Sequence, residues 1–361
     1  MIAISLATLY ACTNDDEYKD ENEPRDLKIQ TSISLARSYI DGTAFTKDTL
    51  LAVYANNTTS NNTSNNYAVY KYSGTAWEFN GSDKIQLTAE DATIYAHYPA
   101  GGTYVIAHSS AAVNGNSILA IGLFEGSTSA DDGNKIFVAS DNKANINAAK
   151  GEVDFMYSAK DDGTHPTANN GKKSGGKATD HTVTLTMRHA LSMVSFRVYN
   201  DKTYTHTGSL TKIQLKNTAS NTTLNKGTSA TMKLGDGSIT ISGAAAAATF
   251  TRFIYTGTSG SSTEGFTLGK FDNANAAKEK TPAFSMLVYP EATADKSTIE
   301  AVFTVDGTEY PVALPTSGQA WGKGKNYIYT VKLNGKELGL GTVSIVAWEA
   351  SEIGTELIPV V

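Results

Sequence analysis

The chain has 361 residues, with 30 Lys and Arg against 36 Asp and Glu, so its formal net charge is −6 at pH 7. This acidic balance lacks the basic excess that neutralises phosphates, and we expect no nucleic-acid partner. Its single cysteine excludes an internal disulfide and a cysteine-based zinc cluster. With 40% apolar and 18% charged residues, the composition is that of a globular protein, and the length favours two domains.

The amino terminus has the pattern of a targeting segment. Residues 1–11 are apolar, too short to span a bilayer, and end just before Cys12. This pattern resembles the signal peptide of a bacterial lipoprotein, in which Cys12 is acylated; the basic residues that usually begin such a peptide are missing. The alternative is a buried structural cysteine. The acidic residues 12–26 predict a flexible tether and resemble the surface-export signal of Bacteroidetes lipoproteins.

From residue 27 onward, apolar and polar residues alternate with a period of two, which predicts strands. The first strand carries Leu27, Ile29, Ile33 and Leu35 on one face. Residues 50–55 and 67–72 predict a hairpin across an Asn- and Thr-rich loop. Further strands are predicted at residues 77–79, 85–87 and 93–98.

Residues 160–180 show no apolar period, so we place a domain boundary there and predict domains at 27–175 and 176–361. The long strand pattern that follows, at residues 182–199, changes phase between Arg188 and Met193. A change of phase reverses every side chain, which predicts a bulge or a break.

The second half repeats the pattern of strands and turns. Asp306-Gly307 between two alternating runs predicts a tight hairpin, and Pro311 places its second strand at a sheet edge. Residues 327–333, a turn at Asn334-Gly335 and residues 343–348 predict another strand pair. Helical periodicity is nearly absent. The chain is therefore predicted to be all-β, with two antiparallel β-sandwiches in tandem.

We find no pattern of catalytic or metal-binding residues. The six histidines lack the i, i+4 spacing of a helical zinc site, and His189, inside a strand pattern, fits a core histidine better than a ligand. Asp131-Asp132-Gly133-Asn134 fits an ordinary turn better than a calcium loop. We therefore expect no enzyme, no metal and no cofactor other than a covalent lipid on Cys12.

Four motifs occur along the chain in this order: FTKDTLLAVY at 45–54, ATIYAHYP at 92–99, LTMRHALS at 185–192, and GKNYIY with IVAW at 324–329 and 345–348. Together they resemble the fimbrillin family, the type V pilins and Mfa-like lipoproteins of Bacteroidetes. The resemblance implies two transthyretin-like sandwich domains and a lipidated precursor. It also implies a location at the outer membrane and cell surface, in pili that support adhesion.

In that family an Arg-specific surface protease removes the first strand of the precursor, and a donor strand of the next subunit fills the groove. By this resemblance, Leu27–Leu35 is the removable strand and Arg37 the cleavage site, with Arg25 as the alternative. Only cleavage after Arg37 would free the groove. The alternative for Arg37 is a solvated surface residue.

The candidate donor strand is the tail at residues 349–361, with Ile353, Leu357 and Val361 in one phase. The alternative is a tail that folds back on its own sheet. The expected partners are other pilin subunits, the protease and the outer membrane through the lipid anchor, with host proteins or glycans as adhesion targets. Whether the subunit would be a stalk, tip or anchor stays open.

A second function remains possible from the sequence: a surface lipoprotein that binds glycans without polymerising. It would use exposed aromatic side chains, with Trp77, Tyr67 and Tyr70 as candidates, and it would retain its first strand.

Overall fold

A computed structural model of the protein describes residues 25–33, 45–57, 66–82, 84–87, 92–108, 113–139, 145–159, 181–219, 224–293, 296–315, 320–335 and 338–347. In chain order the elements are β1 Arg25–Asp26, β2 Lys28–Ile33, β3 Leu50–Asn57, β4 Tyr67–Tyr72, β5 Trp77–Phe79, β6 Gln86–Leu87, β7 Ala92–Tyr98, β8 Ile118–Ile121, β9 Lys135–Val138, β10 Ile146–Ala148, β11 Met156–Ala159, β12 Thr182–His189, β13 Ser192–Asn200, β14 Ser209–Asn217, β15 Ser229–Lys233, β16 Ile239–Ser242, β17 Thr249–Thr258, β18 Ser261–Glu264, β19 Phe266–Thr267, α1 Ala274–Lys278, β20 Ala283–Val288, β21 Ile299–Val305, β22 Thr308–Ala313, β23 Lys325–Leu333 and β24 Leu338–Ala347.

The first sheet has seven strands in the order β2-β12-β11-β7-β3-β4-β5. The predicted hairpin of β3 and β4 is confirmed, and it pairs Leu51 with Tyr70. Alternate side chains of β2, β3, β4, β7 and β12 form one buried apolar cluster on the inner face of the sheet. The sheet curls around this cluster until its two edge strands, β2 and β5, lie beside each other.

Two other sheets, built mostly from strands of the second half of the chain, form a sandwich. One has the order β18-β17-β14-β21-β22, with β9 and β19 attached, and the other has the order β10-β20-β13-β23-β24. Their inner faces share a core that includes Phe196, Phe284 and Phe303. A three-stranded sheet, β16-β15-β8, packs through a third cluster against the outer face of β3 and β11. The all-β prediction is confirmed; the transthyretin-like arrangement in tandem stays a prediction.

The phase change between Arg188 and Met193 is a break: β12 ends at His189, and β13 begins at Ser192 in a different sheet. The Asp306-Gly307 turn is also confirmed. Both residues have positive φ, 47° and 80°, as the type I′ turn of a two-residue hairpin requires. Pro311 lies in β22, which is an edge strand as predicted.

The prediction of purely antiparallel sandwiches was wrong. Four pairs of strands are parallel: β2 with β12, β9 with β17, β10 with β20, and β13 with β23. Parallel partners need long crossover connections, and a period of two in the sequence is the same for both orientations.

Strands on both sides of residue 175 share sheets. β12 follows that position and pairs with β11 and β2, whereas β8, β9 and β10 precede it and pair with β15, β17 and β20. The boundary itself lies outside the described residues, so the division into 27–175 and 176–361 stays a prediction. In the described part of the chain, α1 is the only α-helix, and no helix there is long and apolar enough to cross a bilayer.

Candidate functional site

The predicted removable strand forms an edge of the first sheet. β2 runs parallel to β12, with Ile29 opposite Val183. Leu27 is 0% exposed and Ile29 5% exposed, whereas Lys28 and Gln30 are exposed, so the predicted inner face is confirmed at these positions. The edge strand therefore supplies core side chains to the sheet that it closes.

Only one side of β2 carries a backbone ladder. The Lys28 N–H donates to the carbonyl of His181 at 3.0 Å. Because neighbouring residues of a strand direct their backbone groups to opposite sides, Ile29 and Thr31 direct theirs away from β12. None of the described strands pairs with β2 on that second side.

On the second side, two aromatic side chains of the β4–β5 hairpin donate hydrogen bonds to this segment. The Tyr70 hydroxyl donates to the carbonyl of Leu27 at 2.8 Å, and Trp77 Nε1 donates to Thr31 Oγ1 at 3.0 Å. The Leu27 N–H donates to the carbonyl of Ile85 at 2.8 Å. These two side chains hold the segment on the side where it has no second ladder. Any extended strand could offer a main-chain carbonyl to Tyr70, whereas Trp77 needs a side-chain acceptor such as the Thr31 hydroxyl.

The chain before β2 is held by a short ladder and by charge. β1 pairs with β6, with Arg25 opposite Leu87. Lys84 Nζ lies 2.8 Å from Asp26 Oδ2, and this hydrogen bond lowers the pKa of Asp26 below its usual value. The alternative cleavage site, Arg25, therefore lies in paired backbone, and a cut there would leave β2 in place.

A cavity of about 770 Å³ opens between β2 and the β4–β5 hairpin. Its lining includes Phe45, Tyr72 and Trp77, with Lys84 and Glu78 among the charged residues. The Trp77 ring packs edge-on against Phe45 at 5.1 Å between centroids and against Tyr72 at 5.2 Å. These contacts hold the indole N–H in its direction toward β2.

The three aromatic residues suggested as an exposed glycan platform do not form one. Tyr70 is 1% exposed and packs in the inner cluster, whereas Tyr67 lies on the opposite face of β4 and stacks on His108 at 4.1 Å. Residues three apart on a strand point to opposite faces, which is why they separate. Trp77 is half-buried beside β2.

The buried polar groups fit structural roles. His189 is buried, as predicted, with Nδ1 2.9 Å from Asp154 Oδ1. Arg252 is buried too; it bonds Glu152 and donates to the carbonyls of Phe124 and Glu125, which ties three segments together. Burial raises the pKa of Glu152, and the charge of Arg252 opposes this rise.

Another buried histidine has both ring nitrogens in use. His97 Nδ1 lies 2.9 Å from the carbonyl of Pro99, and Nε2 lies 3.1 Å from the hydroxyl of Tyr54. Burial lowers the pKa of His97 to about 4, so the ring is neutral near pH 7. The Asp131 carboxylate accepts from the N–H groups of Gly133 and Asn134, which confirms a turn there. Within the described residues, no group of three or more metal-binding side chains occurs.

Several predicted site residues cannot be placed. Cys12, Arg37 and Leu35 lie outside the described residues, as do Ile353, Leu357 and Val361. Ile33 ends β2, but its side chain is not described. The alternation of apolar and polar residues does not reveal the hydrogen bonds of Tyr70 and Trp77 to this edge. Thr31 was the available signal, because a polar residue in an otherwise apolar phase needs a hydrogen-bond partner when it is partly buried.

Comparison with known proteins agrees with the fold. A family model described as Fimbrillin-like matches residues 36–348. No curated protein matches the chain.

Three solved structures from Bacteroides have similar folds at low sequence identity. A putative cell adhesion protein from Bacteroides ovatus has a TM-score of 0.58 at 13% identity and covers 91% of this chain and 100% of its own. A fimbrial protein from Bacteroides vulgatus has a TM-score of 0.54 at 13% identity, covering 90% of this chain and 99% of its own. A putative cell adhesion protein from Bacteroides uniformis has a TM-score of 0.52 at 15% identity, also with 90% and 99% coverage.

Proposed function

This chain belongs to the fimbrillin-like family, and we propose that it is a structural subunit of a cell-surface pilus that supports adhesion. In this proposal Cys12 anchors the exported precursor to the outer membrane through a lipid. An Arg-specific protease then cuts after Arg37, and the tail at residues 349–361 of the next subunit fills the groove that β2 leaves.

The observation that carries the proposal is the way in which β2 is held. The strand supplies core side chains, yet it has a backbone ladder only with β12, and the β4–β5 hairpin on its other side holds this segment by two side-chain hydrogen bonds. Its departure would uncover the edge of β12 and the apolar side chains that Leu27 and Ile29 cover. Each of these two side chains is worth about 1.5–3 kcal/mol when buried, as an upper estimate. An open edge above an apolar core is a strong site for pairing with another chain.

Cleavage is needed because the resident strand has the advantage of its tether. A tethered strand has an effective concentration on the order of millimolar, and ordering a free tail costs about 1–2 kcal/mol per residue. A donor of similar pattern therefore gains little until the covalent link is cut. Before that, β2 protects the precursor from premature pairing.

Pro359 in the tail is compatible with this role. Pro359 alternates in phase with the apolar residues of the tail. If these residues face the core, Pro359 would take an inward position like those of Ile29 and Thr31 in β2. Backbone groups in that phase point away from β12. The missing N–H of Pro359 would then cost no hydrogen bond of the main ladder.

The test compares the wild-type precursor with Arg37→Ala, using Arg25→Ala as the matched control. After treatment with an Arg-specific protease, we expect wild type and Arg25→Ala to show a new amino terminus at Ser38 and SDS-resistant ladders. Arg37→Ala should remain folded and monomeric. Protease-dependent ladders from Arg37→Ala would refute the assigned cleavage site, and a cleaved wild-type chain that stays monomeric would refute polymerisation.

Glycan binding by a retained precursor is the second candidate, and the aromatic-lined cavity beside β2 is what favours it. In that case oligosaccharides should bind the uncut chain, and Trp77→Ala should abolish the binding while Tyr67→Ala, on the opposite face, should not. Calorimetry with the uncut protein separates this candidate from the first.

A further inference from the structure

We propose that Trp77 sets the register of the incoming donor strand by donating its Nε1 hydrogen bond to the hydroxyl of Thr355 from the next subunit. This inference rests on the proposed function and adds which residue of the tail occupies which position in the groove.

The contact that the donor strand would inherit is already present in the precursor. Trp77 Nε1 donates to Thr31 Oγ1 at 3.0 Å, and the indole N–H is a donor only. Phe45 and Tyr72 pack against the indole ring and belong to the cleaved chain as well. When β2 leaves, the indole N–H of Trp77 therefore remains in place and loses its hydrogen-bond acceptor.

The tail contains a close copy of the five residues around this acceptor. Ile29-Gln30-Thr31-Ser32-Ile33 and Ile353-Gly354-Thr355-Glu356-Leu357 share the pattern Ile-x-Thr-x-Ile or Leu. Superposing the two segments places Thr355 on Thr31. Since Thr31 is opposite Leu185 in β12, Thr355 would be opposite Leu185 of the receiving subunit.

The competing register is shifted by two residues, because a shift by one would turn the apolar face outward. It would fill the Leu27 position with Ile353. It would also place Thr355 in the Ile29 position, which is 5% exposed, and Leu357 against the indole N–H. Two polar groups would then lack partners, which disfavours that register.

The register we propose leaves one weaker position, at the end of the groove. Ser351 would take the place of Leu27. The backbone carbonyl there can still accept from the Tyr70 hydroxyl, which bonds the main chain of Leu27 and not its side chain. β1 leaves together with β2, so this end of the groove opens to water, and a serine hydroxyl there can be hydrated.

Disulfide trapping in the full-length chain tests the register. Thr184 is exposed on β12 and lies opposite Gln30, so the proposed register places Gly354 opposite it. We expect Thr184→Cys with Gly354→Cys to give covalent ladders that reductant dissolves, and Thr184→Cys with Glu356→Cys to give none. Cleavage after Arg37 removes Cys12, so only the introduced cysteines can react.

The reverse outcome, covalent ladders from Thr184→Cys with Glu356→Cys alone, would overturn the proposed register in favour of the shifted one. Thr186→Cys with Glu356→Cys is the matched positive control, since Thr186 lies opposite Ser32. Absence of any ladder under SDS, covalent or not, would instead count against polymerisation. The two failures are therefore distinguishable.

The role of the hydrogen bond is tested by the rate at which polymers dissociate in urea. Thr355→Val should dissociate about fivefold faster, the change that corresponds to one neutral hydrogen bond, while Thr355→Ser should retain the wild-type rate. Trp77→Phe should show the same acceleration and add nothing to Thr355→Val in the double variant. Independent, multiplying effects would overturn the proposed contact.

Discussion

Two edge strands of this protein, β2 and β22, differ in how they are built. β22 follows β21 through the two-residue Asp306-Gly307 turn and pairs with it along its whole length. Its side chains are mostly exposed, and it contains Pro311. β2 pairs with β12, which is more than 150 residues away in sequence, and its inner side chains belong to the core.

The difference separates a permanent edge from a replaceable one. A tight turn keeps β22 next to its partner at little entropic cost, and proline makes its edge a poor template for another chain. A single cut after residue 37 disconnects β2 from the rest of the chain, whereas β22 would require two cuts. β2 also leaves a core defect when it departs, so its position must be refilled.

The largest expected effect comes from shortening an inner side chain at each edge. Leu27→Ala should destabilise the precursor by about 2–4 kcal/mol, because Leu27 is fully buried. Val312→Ala in β22 should cost about 1–2 kcal/mol. Urea denaturation measures both.

Cleavage after Arg37 then sharpens the contrast. In chains that are cleaved and then purified under native conditions, Leu27→Ala should have no effect, because the segment that carries residue 27 has left, and Val312→Ala should keep its full effect. If Leu27→Ala still destabilises the cleaved material, the segment remains bound after the cut, and β2 is not replaceable in the sense proposed.

The sequence predicted the strands at both edges but not their partners. Asp306-Gly307 specifies β22 locally, because that dipeptide between two alternating runs strongly favours a type I′ hairpin turn. Nothing local specifies that β2 pairs in parallel with β12, since the two strands are more than 150 residues apart in the chain. The period of two therefore identified which face of β2 is buried, and not which strand it lies beside.

For the candidate site, too, the sequence predicted which side chains are buried but not which ones contact each other. Leu27 and Ile29 follow from alternation, and the spacing of Tyr67 and Tyr70 already implies opposite faces of β4. The role of Trp77 does not follow from the sequence, because its contact with Thr31 joins opposite edges of the sheet and leaves no trace in either local pattern. Such a contact becomes visible only when the sheet is closed.

A smaller effect is expected from removing the side-chain hydrogen bond at the start of β2. Tyr70→Phe removes the donor to the Leu27 carbonyl and should weaken the docking of β2 by about 1 kcal/mol. Hydrogen exchange should show faster exchange of the amides of β2, with those of β22 unchanged. Tyr72→Phe on the same strand is the matched control and should leave β2 as it is; equal effects from both variants would contradict a specific role for the Tyr70 hydroxyl.

The smallest effect is expected from one carboxylate near each edge strand, Asp26 beside β2 and Asp306 before β22. The contribution of each to stability depends on pH. The Lys84 hydrogen bond lowers the pKa of Asp26. Partial burial acts to raise the pKa of Asp306, but the hydrogen bonds from the N–H groups of Ser209 and Gly208 and from the Tyr204 hydroxyl together lower it below its usual value. A carboxylate whose pKa is lower in the folded than in the unfolded state stabilises the fold at pH values above its unfolded pKa, near 3.8. This stabilisation is lost as the pH falls through the folded-state pKa.

Asp26→Asn and Asp306→Asn should therefore each cost less than about 1 kcal/mol at pH 7, since both groups are partly solvated, and almost nothing near pH 2. Urea denaturation at the two pH values measures this difference. After cleavage and removal of the segment, the effect of Asp26→Asn should vanish at every pH, whereas that of Asp306→Asn should persist. If Asp306→Asn lowers the free energy of unfolding equally at both pH values, the introduced amide disturbs the turn itself. Ionisation of Asp306 would then contribute nothing to the stability of the β21–β22 hairpin.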